Sequence, residues 1–263
     1  MSAKSGLPPT EPPAYSKIVS LRVSPFTDLH GKRIILASQS PRRIELLLQM
    51  GLENVEVIPS CHPENLDQSH FTPFEYVLQT AQEKAIKVYS EEAGSENAPD
   101  LVIAADTIVL SGSIILEKPA SAVEHLNMLR LLRGKEHKVF TGGIVLLDVF
   151  AYTQVAVIAP LVDAPVYPGY SLQTHLEETI VTFSSDLTDE FLRAYVESGE
   201  ASSMAGGYGI QGRGALLVEK INGDYNNVVG LPLRATLRLI DNCLKEAREG
   251  LHQEAEETGL DSD

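Results

Sequence analysis

The sequence predicts an α/β protein with a single folded domain, built on a mixed, twisted sheet flanked by helices. Three observations carry this. Apolar runs of strand length alternate with stretches of helical spacing along most of the chain. The 263 residues, 43% apolar and 22% charged, suit one generous domain or two small ones with ample material for a core. Irregular composition is confined to the two ends and one internal stretch.

In chain order, residues 1–31 are rich in Pro, Ser and Thr without sustained periodicity and are expected to be a mobile arm. Arg33–Ala37 reads as a buried strand. Ser40-Pro41 supplies an N-cap with proline at the first helical position, and Ile44, Leu47 and Leu48 form an apolar face up to Gly51. Thr72 and Glu75 form a capping box, opening a helix with Phe74, Val77, Leu78, Ala81, Ala85 and Val88 at helical spacing. Leu101–Ala105 is a continuous apolar strand of the kind covered on both faces. Ser121 and Glu124 open a helix that Gly134 ends. Strands follow near Lys138–Leu147 and Glu178–Ser184, separated by a Pro-containing surface loop at about 159–173, and then a helix over Thr188–Ser198. Asn222-Gly223, between Ala215–Ile221 and Tyr225–Val229, predicts a hairpin. Leu231-Pro232 starts the last helix, which frays into an acidic tail over 250–263; residues 245–263 hold seven acids against Lys245 and Arg248. The folded domain is therefore expected over 32–249.

A net charge of −15 argues against a nucleic-acid binder, which needs a basic face to displace counterions. It permits a small anionic ligand, because a few local arginines can reverse the field inside a cleft. Two cysteines, Cys61 and Cys243, exclude a disulfide scaffold or a multi-cysteine zinc site and suggest a reducing, cytoplasmic setting. Pro and Glu interrupt the start where a signal peptide needs an apolar run. The most apolar stretch, Ile144–Val162, carries Asp148, Thr153, Gln154 and Pro160, so two strands and a turn explain it better than a membrane span.

Five places carry chemistry. Arg42 and Arg43 sit in the first turn of a helix, where the dipole disfavours cations; a phosphate bound there would reverse the sign, and two solvated surface arginines are the alternative. Asp106-Thr107 follows an apolar strand, where carboxylates in open sheets often face a ligand crevice, though an Asx-type turn would look the same. Lys84 lies at the edge of an apolar stripe and either pairs with an anion or snorkels to solvent. Glu117-Lys118-Pro119 is a charged turn after a strand. Ala205–Gly212 places four glycines around Tyr208 and Gln211, an arrangement suited to close backbone approach with one amide to read a base edge.

Leu36-Ala-Ser-Gln-Ser-Pro-Arg-Arg-Ile-Glu-Leu-Leu47, Ala105-Asp-Thr-Ile108, Glu117-Lys-Pro119, Gly207-Tyr-Gly-Ile-Gln-Gly212 and Asn227-Val-Val-Gly-Leu-Pro232 together resemble the Maf family. These are house-cleaning nucleoside triphosphate pyrophosphatases, also found fused in acetylserotonin methyltransferase-like proteins. The likeness spans about Lys32 to Glu246. It implies an inosine triphosphate pyrophosphatase-like fold with a deep central cleft, and hydrolysis of a nucleoside triphosphate to the monophosphate and pyrophosphate. It also implies a divalent cation (Mg2+ first, Mn2+ or Co2+ otherwise) and admits a homodimer. Carried over by motif, Asp106 matches the proposed general base and, with Glu64, the metal site. Arg42, Thr107 and Gln211 match positions linked to substrate choice; Arg43, Lys84 and Lys118 match phosphate-binding cations. Ser38 and Glu45 belong to the signature itself.

The motif forms Pro-Arg-Arg, Asp-Thr, Glu-Lys-Pro and Ile-Gln-Gly resemble the dTTP/UTP branch. The branch acting on 7-methyl-GTP typically has Trp-Arg-Arg, Asp-Gln, Gly-Lys-Pro and Ser-Glu-Gly. A glutamate suits a cationic methylated guanine, whereas a neutral glutamine pairs with the donor–acceptor edge of uracil or thymine. The alternatives are a 7-methyl-GTP pyrophosphatase, or a non-catalytic nucleotide-binding regulator of cell division that keeps the phosphate cradle without its carboxylate. The chain departs from the family where Ser203-Met204 replaces the usual Asp-Lys before the glycine-rich motif, in the longer loop near 159–173, and in the extra arm.

Overall fold

The computed structural model describes residues 21–60, 71–95, 97–148 and 170–258. Glu64, Cys61, residues 1–20 of the expected arm, most of the loop at 159–173 and the end of the tail lie outside them. The elements are β1 (Ile34–Leu36), α1 (Pro41–Met50), β2 (Val55–Val57), α2 (Pro73–Glu92), β3 (Leu101–Ser111), β4 (Ile114–Leu116), α3 (Ala122–Leu132), β5 (Glu136–Asp148), β6 (Tyr170–Phe183), α4 (Asp189–Glu197), β7 (Val218–Asn222), α5 (Tyr225–Val229) and α6 (Leu233–Thr258). Short 3-10 turns cover Ala205–Gly207 and Arg213–Leu217. No described helix is long and apolar enough to cross a membrane.

The seven strands form one mixed sheet in the order β2-β1-β3-β5-β6-β7, with β4 paired to β3 off that path. β1 pairs in parallel with β2 and β3, while β3–β5, β5–β6 and β6–β7 are antiparallel. β5 pairs with β3 from Leu101 to Leu110. On its other edge β3 meets β1 over Leu101–Ile103 and β4 over Val109–Ser111. Between those two short partners, Ala104–Ile108 has no strand beside it among the described residues. The sheet is notched at its centre.

Alternation along β3 assigns the two faces. Leu101, Ile103 and Ala105 join Leu46 and Leu47 of α1 and Leu239, Ile240 and Cys243 of α6 in one core cluster. Val102 and Ala104 join Ala81, Ala85 and Val88 of α2 on the opposite face. Thr72 caps α2 as the sequence predicts: its hydroxyl accepts from the Glu75 N–H, and the Glu75 carboxylate accepts from the Thr72 N–H.

Several expectations are corrected. β3 continues six residues past Ala105, so Asp106 and Thr107 lie in mid-strand and not in a turn. α1 buries Arg43, Leu46 and Leu47 and leaves Leu48 47% exposed, because the inward stripe at i, i+3 and i+4 starts from Arg43. Ser40 occupies the N-cap position of α1 without making a side-chain cap. Asn222-Gly223 does not make a hairpin. Asp224 accepts from the Asn226 N–H and caps α5, whose Asn227 is fully buried with its amide donating to Val139 C=O and Thr179 Oγ1. Residues 170–173, expected as loop, begin β6. α6 carries the chain helically to Thr258, into the stretch expected as a tail.

Part of the expected arm also belongs to the fold. Phe26 and Leu29 are 6% and 4% exposed, packed in the same cluster as Ile34 and Leu52. Two large apolar side chains so close in sequence are enough to hold a short turn-rich segment against a core. Phe26→Ala should therefore cost about 3–5 kcal/mol by the usual scale for buried aromatics. A chain starting at Lys32 should melt at a lower temperature than one starting at Leu21. Equal midpoints in thermal unfolding would show that the packing of Phe26 and Leu29 contributes nothing.

Candidate active site

The notch in β3 opens into a cavity of about 850 Å³ lined by residues from every motif singled out above. Ser38, Arg42 and Arg43 enter from the β1–α1 connection, Lys84 from α2, Asp106 and Thr107 from β3, Lys118 from the turn after β4, and Gln211 from the glycine-rich loop.

Asp106 and Thr107 are neighbours on one strand, so their side chains leave opposite faces. Asp106 points toward α2, where Lys84 Nζ donates to its Oδ1 at 2.9 Å. Lys84 is 8% exposed and sits within the buried stripe of α2, one turn after Thr80 and Ala81. This resolves the two readings of Lys84 in favour of an ion pair. The pair is part-buried, with side chains 10% and 17% exposed, and both groups line the cavity.

Thr107 points the other way. Its Oγ1 accepts from Arg43 Nη2 at 3.0 Å and lies 3.0 Å from Thr141 Oγ1. Arg43 is only 9% exposed, and among the described residues its fork donates from Nε to Gly230 C=O (2.8 Å), from Nη1 to Ser38 Oγ (2.9 Å) and from Nη2 to Thr107. Arg43 thus ties β1, β3 and the α5–α6 connection into one wall. Arg42 lines the same cleft, and loss of hydration there pushes its pKa down against the attraction of Glu45. Lys118 and Gln211 are exposed at the rim.

The glycine-rich loop is held in four places that sequence reasoning missed. His125 Nε2 lies 2.6 Å from Gly207 C=O, and His137 Nε2 lies 2.9 Å from Tyr208 Oη. Gly209 N–H donates to Tyr195 Oη at 3.1 Å. The Glu200 carboxylate accepts from Arg213 N–H at 2.9 Å and Gly214 N–H at 3.0 Å. Gly207 has φ +70°, and a Cβ there would fall 2.6 Å from the His125 ring, so no other residue fits. Glycine density was the signal for the loop; nothing local in the sequence marks the side chains that grip it.

Among the described residues no group of three His, Cys, Asp or Glu is placed to hold a metal ion. Asp106 supplies one hard carboxylate, with Oδ1 bonded to Lys84. Such an oxygen suits a divalent cation that keeps most of its ligands as water and phosphate.

Comparison with known proteins gives the family. A family profile described as Maf-like protein matches residues 33–243. The dTTP/UTP pyrophosphatase of Schizosaccharomyces pombe is 49% identical over 240 residues, covering 90% of this chain and 94% of that protein. A Homo sapiens protein named probable bifunctional dTTP/UTP pyrophosphatase/methyltransferase protein is 45% identical over 204 residues; the match covers 77% of this chain and 30% of that longer one. The dTTP/UTP pyrophosphatase of Caldicellulosiruptor bescii is 41% identical over 202 residues, 77% of this chain and 90% of that protein.

His137 gives the site a pH dependence. Burial between Phe183 and Tyr208 drives its pKa down to about 4 from 6.5, against a backbone hydrogen bond to Lys135. The folded value lies below the unfolded one, so the unfolded chain takes up the proton first. Stability is complete above about pH 6.5 and falls as the pH drops toward 4, with about 2 kcal/mol lost by pH 5. The melting temperature should therefore fall by several degrees between about pH 7.5 and 5, and His137→Gln should flatten that fall. An unchanged slope in the variant would clear His137 of the effect.

Proposed function

Because the chain belongs to the Maf-like protein family, we propose that it is a nucleoside triphosphate pyrophosphatase that converts dTTP and UTP to the monophosphate and pyrophosphate. The observation that carries this reading is the Lys84–Asp106 pair at 2.9 Å, set in a cavity with Arg42 and Lys118 as further cations and Gln211 at its rim. The cations receive the triphosphate. Asp106 takes a proton from a water that attacks the α-phosphorus. A new P–O bond forms from that water, the bond from α-phosphorus to the bridging oxygen breaks, and pyrophosphate leaves with its charge opposed by the lysines.

Asp106 and Glu64 would hold a divalent cation (Mg2+ first, Mn2+ or Co2+ otherwise) together with phosphate oxygens. When bound, the cation supplies neutralisation of phosphate charge. Arg43 acts from the wall: by fixing Ser38 and Thr107 it shapes the phosphate end, and its planar fork cannot be copied by lysine. Gln211 selects the base. A neutral amide offers the donor and acceptor that uracil and thymine match, so UTP and dTTP are preferred over 7-methyl-GTP. The reading places the enzyme in the cytoplasm, with free nucleotides, as a monomer or homodimer.

Asp106→Asn should lower kcat by roughly 10²-fold or more, the usual scale for a lost general base. Near-normal turnover, or release of inorganic phosphate in place of pyrophosphate, would overturn the mechanism. One bidentate contact supplies about 1–3 kcal/mol of discrimination, so kcat/KM for UTP and dTTP should exceed that for ATP, GTP and 7-methyl-GTP by roughly ten- to hundredfold. Gln211→Glu should lower pyrimidine turnover and raise activity on 7-methyl-GTP. A wild-type preference for 7-methyl-GTP would reassign the substrate and leave the reaction intact.

A further inference from the structure

Gln211 stands on a turn that is closed from behind. Gly212 N–H donates to Gly209 C=O at 3.2 Å, making a four-residue turn whose central pair is Ile210 and Gln211. Ile210 is 7% exposed and packs into the core shared by α1 and α6, while Gln211 is exposed at the cleft. Both shoulders of the turn are bound to one pair of side chains. Gly209 N–H donates to Tyr195 Oη (3.1 Å), Tyr195 O–H donates to Glu200 Oε1 (3.2 Å), and Gly214 N–H donates to the same oxygen (3.0 Å). Arg213 N–H donates to Oε2 at 2.9 Å. The circuit runs from one side of the turn to the other without a gap.

The backbone lies directly on this pair. A Cβ on Gly212 would fall 2.7 Å from both Glu200 oxygens, and one on Gly214 would fall 2.5 Å from Gly209 C=O and 2.8 Å from Tyr195 Oη. Burial pushes the Glu200 pKa up, yet the two backbone N–H groups and the Tyr195 hydroxyl outweigh it and hold the carboxyl below its ordinary value. Bonds to an ionised carboxylate are stronger than neutral ones, and here they add to the packing of Tyr208 and Ile210 in a loop otherwise built mostly of glycine. Tyr195 comes from α4 and Glu200 follows three residues after its end, so a rigid helix sets the pair.

The geometry points to Glu200 and Tyr195 as positioning residues that fix the Gln211 amide for base selection. The inference rests on the pyrimidine-selecting reading of Gln211. A glycine-rich turn free to move would present its amide in many directions and discriminate poorly, since the amide distinguishes bases only in a fixed orientation. Their substitution therefore falls on selectivity first.

The test is kcat/KM for UTP and GTP in wild type, Glu200→Gln, Tyr195→Phe, Gln211→Ala and the Glu200→Gln/Gln211→Ala double variant, with circular dichroism as the fold control. Glu200→Gln puts an N–H2 group against backbone N–H donors and should lower the UTP-to-GTP ratio about tenfold. Tyr195→Phe, which keeps the ring and its packing, should lower it about threefold and decides the matter if Glu200→Gln does not fold. In the Gln211→Ala background, Glu200→Gln should change the ratio less than about twofold, because the group it positions is gone. Folded variants that keep the wild-type ratio, lose both activities equally or combine additively with Gln211→Ala overturn the positioning role alone. A wild type without pyrimidine preference overturns the reading beneath it as well.

Discussion

Everything in the site depends on the way β3 is paired. A strand bonded on both edges along its length would leave no gap in the plane of the sheet. Here β5 secures one edge over ten residues, from Leu101 to Leu110, while β1 and β4 each take only an end of the other. The strand is thereby rigid and open at the same point. Buried backbone groups need partners, so the open stretch is short and faces a polar cleft. Strand alternation then divides the work: Asp106 meets Lys84 on the α2 side, and Thr107 meets Arg43 on the other.

That division also explains how a chain of charge −15 builds a phosphate site. Exposed charge is screened over about 10 Å at ordinary salt, whereas charges inside a cleft are felt nearly in full. Lys84 and Arg43 are 8% and 9% exposed, and burying such groups demands compensation. Among the described residues Lys84 meets Asp106, and Arg43 donates to a carbonyl and two hydroxyls. Fixing these cations before a ligand arrives moves their ordering cost from the binding step to the folding of the domain.

The motifs are legible in the sequence as chemistry but not as geometry. Helix starts marked by local capping agree between sequence and structure at Thr72, Ser121 and Thr188, because a cap is decided within four residues. Asn222-Gly223 misleads for the complementary reason. The pair announces a turn, but the next element is decided by Asp224 capping α5 and by buried Asn227 bonding to β5 and β6. Lys84 could not be separated from a snorkelling lysine, since its partner lies 22 residues away on another element. Tyr195 and Glu200 are silent altogether. Their role exists only once α4 and the glycine-rich loop are adjacent, and no periodicity encodes that contact.

The replacement at Ser203-Met204 becomes intelligible in the same frame. Where the resemblance leads one to expect a lysine, the Met204 thioether rests on Gly209, so close that a Cβ on the glycine would fall 2.6 Å from its sulfur. Arg42 Nη1 lies 3.9 Å from that same point. With Ser203 in place of the usual aspartate, a lysine here would set an uncompensated second cation beside a guanidinium already stripped of part of its hydration, and like charges in a cleft raise each other's cost. Methionine, unbranched and polarisable, fills the irregular gap over Gly209 without that penalty. It leaves Arg42 as the cation of that wall, and the glycine beneath it is kept by contact with the sulfur as much as by the turn it begins.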